Sequence, residues 1–238
     1  RYNMKLFAII VTIFMYSYAS LSYEKKHLEQ LINTNVCISC DLTNADLRKR
    51  DLTRAKLSGS NLSNAKLSSS NLSYADLSFV NFTKGKAYIA NLYKASLEGA
   101  NLTEAKFNGA NLSKANLMDA TLISTVFSKS NAEEISFDGA HLKYTKFRGT
   151  KLINAKFSGS YLTMADFSGA NLTGADMIAI DLSNSIFISA KLDDVNFRES
   201  NVSGMNFANF SLDKTNFINS LMCDTYVPWS KKKIECIK

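Results

Sequence analysis

The sequence predicts an all-β solenoid wound as a four-sided coil, and three observations predict it. From Leu42 to Met222 every fifth residue is apolar: the 37 positions read 21 Leu, 11 Phe, two Met, two Ala and one Val, with no slip of register. The residue two places before these centres is in most units small, Ala in 17 of the 37 cases. Ten of the eleven central phenylalanines (107, 127, 137, 147, 157, 167, 187, 197, 207 and 217) fall in alternate units, with Leu dominating the units between them.

A period of five matches neither an α-helix nor a flat strand. On a helix each step of five would rotate the apolar residue by ~140° and leave no single face to bury. Within one unit, alternation does work. The small residue points in, the next (usually Asn, Asp or Lys) points out, and the centre points in. The residue after the centre, Ser or Thr in 17 of 37 units, points out, and the fifth turns the chain. Nine of the ten glycines (59, 99, 109, 139, 149, 159, 169, 174 and 204) occupy that fifth place, where a corner needs φ > 0. The ten-residue alternation of Phe and Leu sets the number of sides. Four sides segregate Phe onto two opposite faces and Leu onto the other two, which keeps the cross-section constant, as close packing rewards.

The unit itself, as in Ala100-Asn-Leu-Thr-Glu104 and Ala170-Asn-Leu-Thr-Gly174, resembles the pentapeptide-repeat proteins. That resemblance covers about three quarters of the chain and implies a right-handed quadrilateral β-helix with four units per coil. The expectation is a rod of about nine coils, roughly 45 Å long at the ~4.8 Å spacing of neighbouring strands.

Taken in order, Met4-Lys5, the apolar run Leu6–Met15 and Ser17-Tyr-Ala19 have the plan of a secretory signal peptide (1–19) cleaved near Ala19. The run is short for a membrane span; an anchored amino terminus is the competing reading. Residues 20–40, with Tyr23, Leu28, Leu31, Ile32 and Val36 at helical spacing, form an amino-terminal cap containing a short helix. A solenoid needs such a plug because its first coil exposes core and unpaired backbone. The repeat domain spans 41–222. Residues 223–238, with Trp229 expected to fold over the last coil and Phe210 packing the same end, form the carboxyl-terminal cap or tail.

Four cysteines sit at the two ends. Cys37 and Cys40 fall on inward positions of the first coil; Cys223 and Cys236 lie at the other end. A disulfide needs Cα atoms within ~7 Å, so a rod leaves Cys37–Cys40 and Cys223–Cys236 as the pairings, and an oxidising compartment permits both. Buried free thiols remain an open alternative for Cys37 and Cys40, and a zinc site is disfavoured because no second ligand pair lies nearby.

The formal charge is +7 over 238 residues. Residues 41–160 carry 17 basic and 10 acidic side chains, whereas 161–222 carry 3 and 7. Steps of twenty should stack Lys66, Lys86, Lys106 and, beyond Val126, Lys146 into a ladder able to engage an anionic partner. Gly85 and Ala87 replace the usual inward pair and leave the core thin, near the outward Tyr74, Phe79, Tyr88 and Tyr93 and the lysines 84, 86 and 94. Exposed aromatics beside cations suit a partner contact; a local bulge with incidental tyrosines is the plainer reading.

No nucleophile–base pair, phosphate loop or metal-ligand cluster can be assembled, so no catalytic residue, metal or cofactor is expected. The function expected is an exported, non-enzymatic rod, secreted or periplasmic, that acts as a structural or protein-interaction scaffold. Its partner would be another protein or an anionic polymer, with nucleic acid and small-molecule substrates disfavoured and an end-to-end homodimer allowed. The alternative is the role of pentapeptide-repeat relatives that mimic DNA and shield type II topoisomerases in the cytoplasm. Such mimics are strongly acidic, whereas this chain is basic over most of its length.

Overall fold

The computed structural model describes residues 25–230 and 232–235. The signal-like segment 1–19 and Cys236 lie outside the described residues. The described residues begin with α1 (Lys25–Thr34), whose one buried residue is Leu31. Asn35 ends the helix in the left-handed region (φ 57°), its N–H donating to the Leu31 carbonyl at 2.8 Å, an arrangement Asn tolerates better than other residues bearing a side chain.

From there the chain is a β-helix solenoid. Every parallel bridge joins residues twenty apart, from Val36↔Lys56 to Asn206↔Tyr226. Twenty residues are four units, so the coil has four faces. We number them by their centres: face I from Leu42, face II from Leu47, face III from Leu52 and face IV from Cys37 and Leu57, each repeating every twenty residues.

Ten of the eleven central phenylalanines occupy the opposite faces II and IV; Phe82 lies on face I. Phe107, Phe127, Phe147, Phe167 and Phe187 stack along face II with centroids 4.9–5.3 Å apart. Phe137 stacks on Phe157, and Phe197 on Phe217, along face IV. The two stacks meet edge-to-face across the axis, as at Phe127–Phe137 and Phe147–Phe157. Aromatic rings prefer both geometries over a face-to-face sandwich, and the core they build runs from Leu31 to Val227.

The backbone bonding repeats with the unit. In the unit centred on Leu42, its N–H donates to the Asn61 carbonyl, that of Asn44 to the Ser63 carbonyl, and that of Ala45 back to the Leu42 carbonyl. The N–H of each outward residue reaches the preceding coil, as Asn61 does to Cys40. One donor per unit remains, the N–H after the centre. An outward Asn or Asp takes it: Thr43 donates to Asp41 Oδ1 at 3.0 Å, Ser113 to Asn111 Oδ1 at 3.2 Å and Thr173 to Asn171 Oδ1 at 3.2 Å. These Asx turns explain why Asn and Asp fill that position, for which outward pointing alone would accept any polar residue.

Most hydroxyls in the small inward slots are satisfied in a comparable way, the buried Ser130 Oγ being an exception. Thr125, Thr145 and Thr150 donate to the carbonyls of Leu102, Leu122 and Phe127, removing the penalty for burying them. The fifth residue of the unit has φ near +60° at every corner from Asn44 to Asn219 except Asn209, and it is more often not glycine: Lys94, Tyr144 and Met164 all adopt it. Glycine content therefore understates the number of left-handed corners.

Two stretches depart from the rule. Around Gly85 the winding continues without a bulge, and the core is not thin. The Phe82 ring turns into the place of the missing side chains; a Cβ on Gly85 would lie 2.2 Å from it. A void of about 10 Å³ remains. Farther on, Met205 and Phe210 fill successive small slots on either side of Phe207. Here the ladder opens: no backbone hydrogen bond joins Ile186–Ala190 to Asn206–Ser211, although Phe167, Gly169 and Leu172 bond to Ile186, Ile188 and Lys191 one coil earlier. A cleft of about 410 Å³ lies at that seam.

At the carboxyl-terminal end Ile234 pairs antiparallel with Thr225. Trp229 approaches the Phe217 ring at 6.2 Å but stays 65% exposed, so it leans on the rim of the last coil and does not cover it.

Candidate interaction surface

Face II carries the lysines. Lys66 bridges Lys86, Lys86 bridges Lys106, and Val126 links Lys106 to Lys146. All four side chains are exposed. Where Val126 interrupts the column, Lys129 supplies an exposed cation from the corner of the same unit.

An ion pair closes the run at either end. Arg48 holds Asp46 with Nη2–Oδ2 at 2.5 Å, and Arg148 pairs with Asp166. The hydrogen bond from Arg48 lowers the Asp46 carboxyl to about 2. Burial acts to raise Asp166, but hydrogen bonds from Ser168 and Arg148 outweigh it and its net shift is downward. Both carboxylates are thus committed to neighbouring arginines and turns; Asp46 also feels the charge of Lys66, one coil on, but forms no ion pair with it.

The winding sorts charge by face. Among outward positions of residues 41–229, face II has eight basic and two acidic residues, face III six of each, face I two and four, and face IV three and six. The polarity along the chain is therefore joined by one across the rod, which counting along the sequence does not reveal.

The aromatic–cation cluster divides among the faces. Tyr88 is half-buried beside Lys86 on face II. Tyr74 and Tyr93 lie on face III, edge-to-face at 5.5 Å, with Lys94 over both rings and Arg54 over Tyr74. Phe79 stands on face IV and Lys84 on face I. Proximity in sequence gathered these residues; a turn every five separates them. Tyr74 and Tyr93 are held by their own cations, which leaves the lysine column as the more open surface.

At the amino-terminal end Cys37 and Cys40 form a disulfide with Cα atoms 5.5 Å apart, both buried. Cys223 is also disulfide-bonded. His27 Nδ1 accepts the Asp41 N–H, and His141 stacks on Tyr161 at 4.8 Å. Among the described residues no group of three or more His, Cys, Asp or Glu could hold a metal ion, and no helix is long and apolar enough to cross a membrane.

Comparison with known proteins agrees with this repeat. Residues 100–177 match the family described as "Pentapeptide repeat region", and residues 51–85 and 190–225 match "Pentapeptide repeats (8 copies)". No curated protein sequence matches the chain. Among solved structures it is similar to HetL, a pentapeptide repeat protein involved in heterocyst differentiation regulation from the cyanobacterium Nostoc sp. strain PCC 7120. The identity is 21%, over 92% of this chain and 97% of that one, with a TM-score of 0.43. It is also similar to QnrB1, a plasmid-mediated fluoroquinolone resistance protein (21% identity, 67% and 83% covered, TM-score 0.36). A third similar structure is Rfr23 from the cyanobacterium Cyanothece 51142 (20% identity, 74% and 96% covered, TM-score 0.27). With the five-residue register, the twenty-residue ladder and two family descriptions agreeing over most of the repeat, the chain belongs to the pentapeptide-repeat family.

Proposed function

We propose that this chain is an exported, non-enzymatic rod of about nine right-handed coils that works as an interaction scaffold, with face II as its working surface. In this reading residues 1–19 are removed near Ala19, residues 20–40 with α1 close one end, and residues 223–238 close the other. The partner presents an anionic surface: an acidic protein or an anionic polymer. One observation carries the reading. Five lysines (66, 86, 106, 129 and 146) occupy consecutive units of one face, all exposed, and none forms an ion pair among the described residues. Neighbouring like charges repel, so a column of this kind gains when an anion is brought to it.

Pull-down of partners with wild type and with Lys86→Glu/Lys106→Glu tests this. Loss of the captured partner supports face II; equal capture removes it from consideration. Cell fractionation with sequencing of the mature amino terminus tests export, and a cytoplasmic protein that retains Met4 would overturn it.

The DNA-mimic reading has one feature in its favour, the excess of acidic over basic residues on face IV. It predicts that Glu98→Lys/Asp119→Lys abolishes protection of a type II topoisomerase while the lysine variant retains it.

A further inference from the structure

We propose that a second copy of this chain docks its face IV onto face II, so that rods assemble side by side in an open row. The proposal rests on reading face II as a working surface and names the partner. From residue 66 to 149 every unit of face II carries one lysine: 66, 86, 106, 129 and 146. The four units of face IV wound between them carry one carboxylate each: Asp76, Glu98, Asp119 and Asp138. No acid interrupts the first run and no base the second.

None of these nine charges forms an ion pair within the chain among the described residues. Opposite charges that share a face do pair, as Lys114 with Glu134 on face III at 3.3 Å and Arg148 with Asp166 on face II. The Asp76 and Asp138 carboxylates accept hydrogen bonds from serines, and Glu98 accepts one from Asn116 Nδ2. Those bonds orient the acids without neutralising them. Glu98 and Asp119 are exposed.

Faces II and IV point in opposite directions. Sideways translation by one rod width therefore lays one against the other, axes parallel, with the basic and acidic bands at the same height. Both bands step by one coil, ~4.8 Å, so the charges remain in register over the ~14 Å that the four carboxylates span. A lipid surface or a nucleic acid would engage face II alone and leave the matching run on face IV without a role. The ends favour lateral over end-to-end growth, because α1 occupies one and the antiparallel Thr225–Ile234 pairing the other. The contact is heterologous and does not close, so copies add in a row. Surface ion pairs are individually weak and screened by salt, so the assembly is weak and sensitive to salt.

Sedimentation velocity of the full chain tests the proposal. At about 20 mM salt the mean mass rises with protein concentration, and at about 500 mM it returns to the monomer. Lys86→Glu/Lys106→Glu and Glu98→Lys/Asp119→Lys each weaken association by about tenfold or more. The first variant places two glutamates within the face II run and the second two lysines within the face IV run, so mixing them restores complementary charges and with them assembly. All four side chains are exposed, and circular dichroism verifies that the variants fold. A wild type that stays monomeric at low salt, assembly indifferent to either double variant, or no rescue on mixing would each overturn the proposal. If wild type is monomeric while its capture of a partner still depends on Lys86 and Lys106, this inference fails and the scaffold reading stands.

Discussion

Gly85 and Phe210 break the small-then-large rule in opposite directions, and only the second breaks the ladder. At Gly85 two inward residues are too small. Phe82 on the neighbouring face turns into the gap, and every backbone bond around it forms, including Lys106 to Gly85 at 3.0 Å. At Phe210 the excess volume has no deficit beside it, since Met205 enlarges the other slot flanking Phe207. The coils part instead, from Ile186–Ala190 to Asn206–Ser211. A column closed on four sides can move a side chain sideways to fill a hole, but it relieves crowding only along its axis, where the ladder holds it together.

Reversing the sign of a large-to-small substitution breaks this comparison most sharply. Phe147 is fully buried in the face II stack, and Phe147→Ala should destabilise by about 3–5 kcal/mol. Phe210→Ala should do the reverse, closing the seam and leaving stability unchanged or higher. Thermal melting reads both, and limited proteolysis between residues 186 and 211 should slow in the Phe210 variant. If Phe210→Ala destabilises as much as Phe147→Ala, Phe210 is a core residue and the account of the seam is wrong.

The compensated side yields to a double-mutant cycle. Gly85→Ala places its Cβ against the Phe82 ring and should cost about 1–3 kcal/mol. Combined with Phe82→Leu it should cost less than the sum of the two alone, because each residue occupies space the other leaves. Additive effects would mean that Phe82 does not fill the gap.

Polar bracing of the regular coils comes next in size. Asn111 accepts the Ser113 N–H and hydroxyl and donates through Nδ2 to Asn91. Lys106 braces no turn. Asn111→Ala should lower stability by about 0.5–1.5 kcal/mol, and Lys106→Ala should stay within about 0.5 kcal/mol of wild type.

These tests also mark how far the sequence can be read. The unbroken register of 37 centres and the alternation of Phe with Leu identify the solenoid and the faces that carry rings. A ladder such as Lys66–Lys86–Lys106 follows from counting twenty. Two features do not follow from counting, and a third needs the count made around the axis. The Asx turns were hidden because Asn at an outward place already looks explained by polarity. Phe82 was hidden because filling across a corner depends on a rotamer, not on register. Charge summed along the chain conceals its sorting around the axis, which places Lys86 and Asp119 on opposite faces. Phe210 stands out as oversized for its slot; that it opens the coil and does not pack the end depends on Met205, which enlarges the slot on the other side of Phe207.

The smallest effect separates aspartate bracing from asparagine bracing. Asp46, Asp51 and Asp166 hold the same turn position as Asn111, but they titrate. Arg48 lowers Asp46 to about 2, hydrogen bonds from Thr53 lower Asp51, and those from Ser168 and Arg148 lower Asp166 against the opposing effect of burial. A carboxylate whose folded-state value lies below its unfolded value of ~3.9 stabilises the fold above that pH. Its contribution falls away as pH drops towards the folded value, which for Asp46 is about 2. The rod should therefore hold a nearly constant melting temperature from neutral pH down to about 4 and lose stability below that. Asp46→Asn/Asp51→Asn/Asp166→Asn keeps the acceptor that each turn needs and removes the proton site. This variant should melt slightly lower than wild type at pH 7, having lost its arginine pairs, and fall less steeply between about pH 4 and 2. Equal slopes for the two proteins would mean that these three carboxylates have no part in acid sensitivity, and that Asn and Asp brace the coil to the same extent.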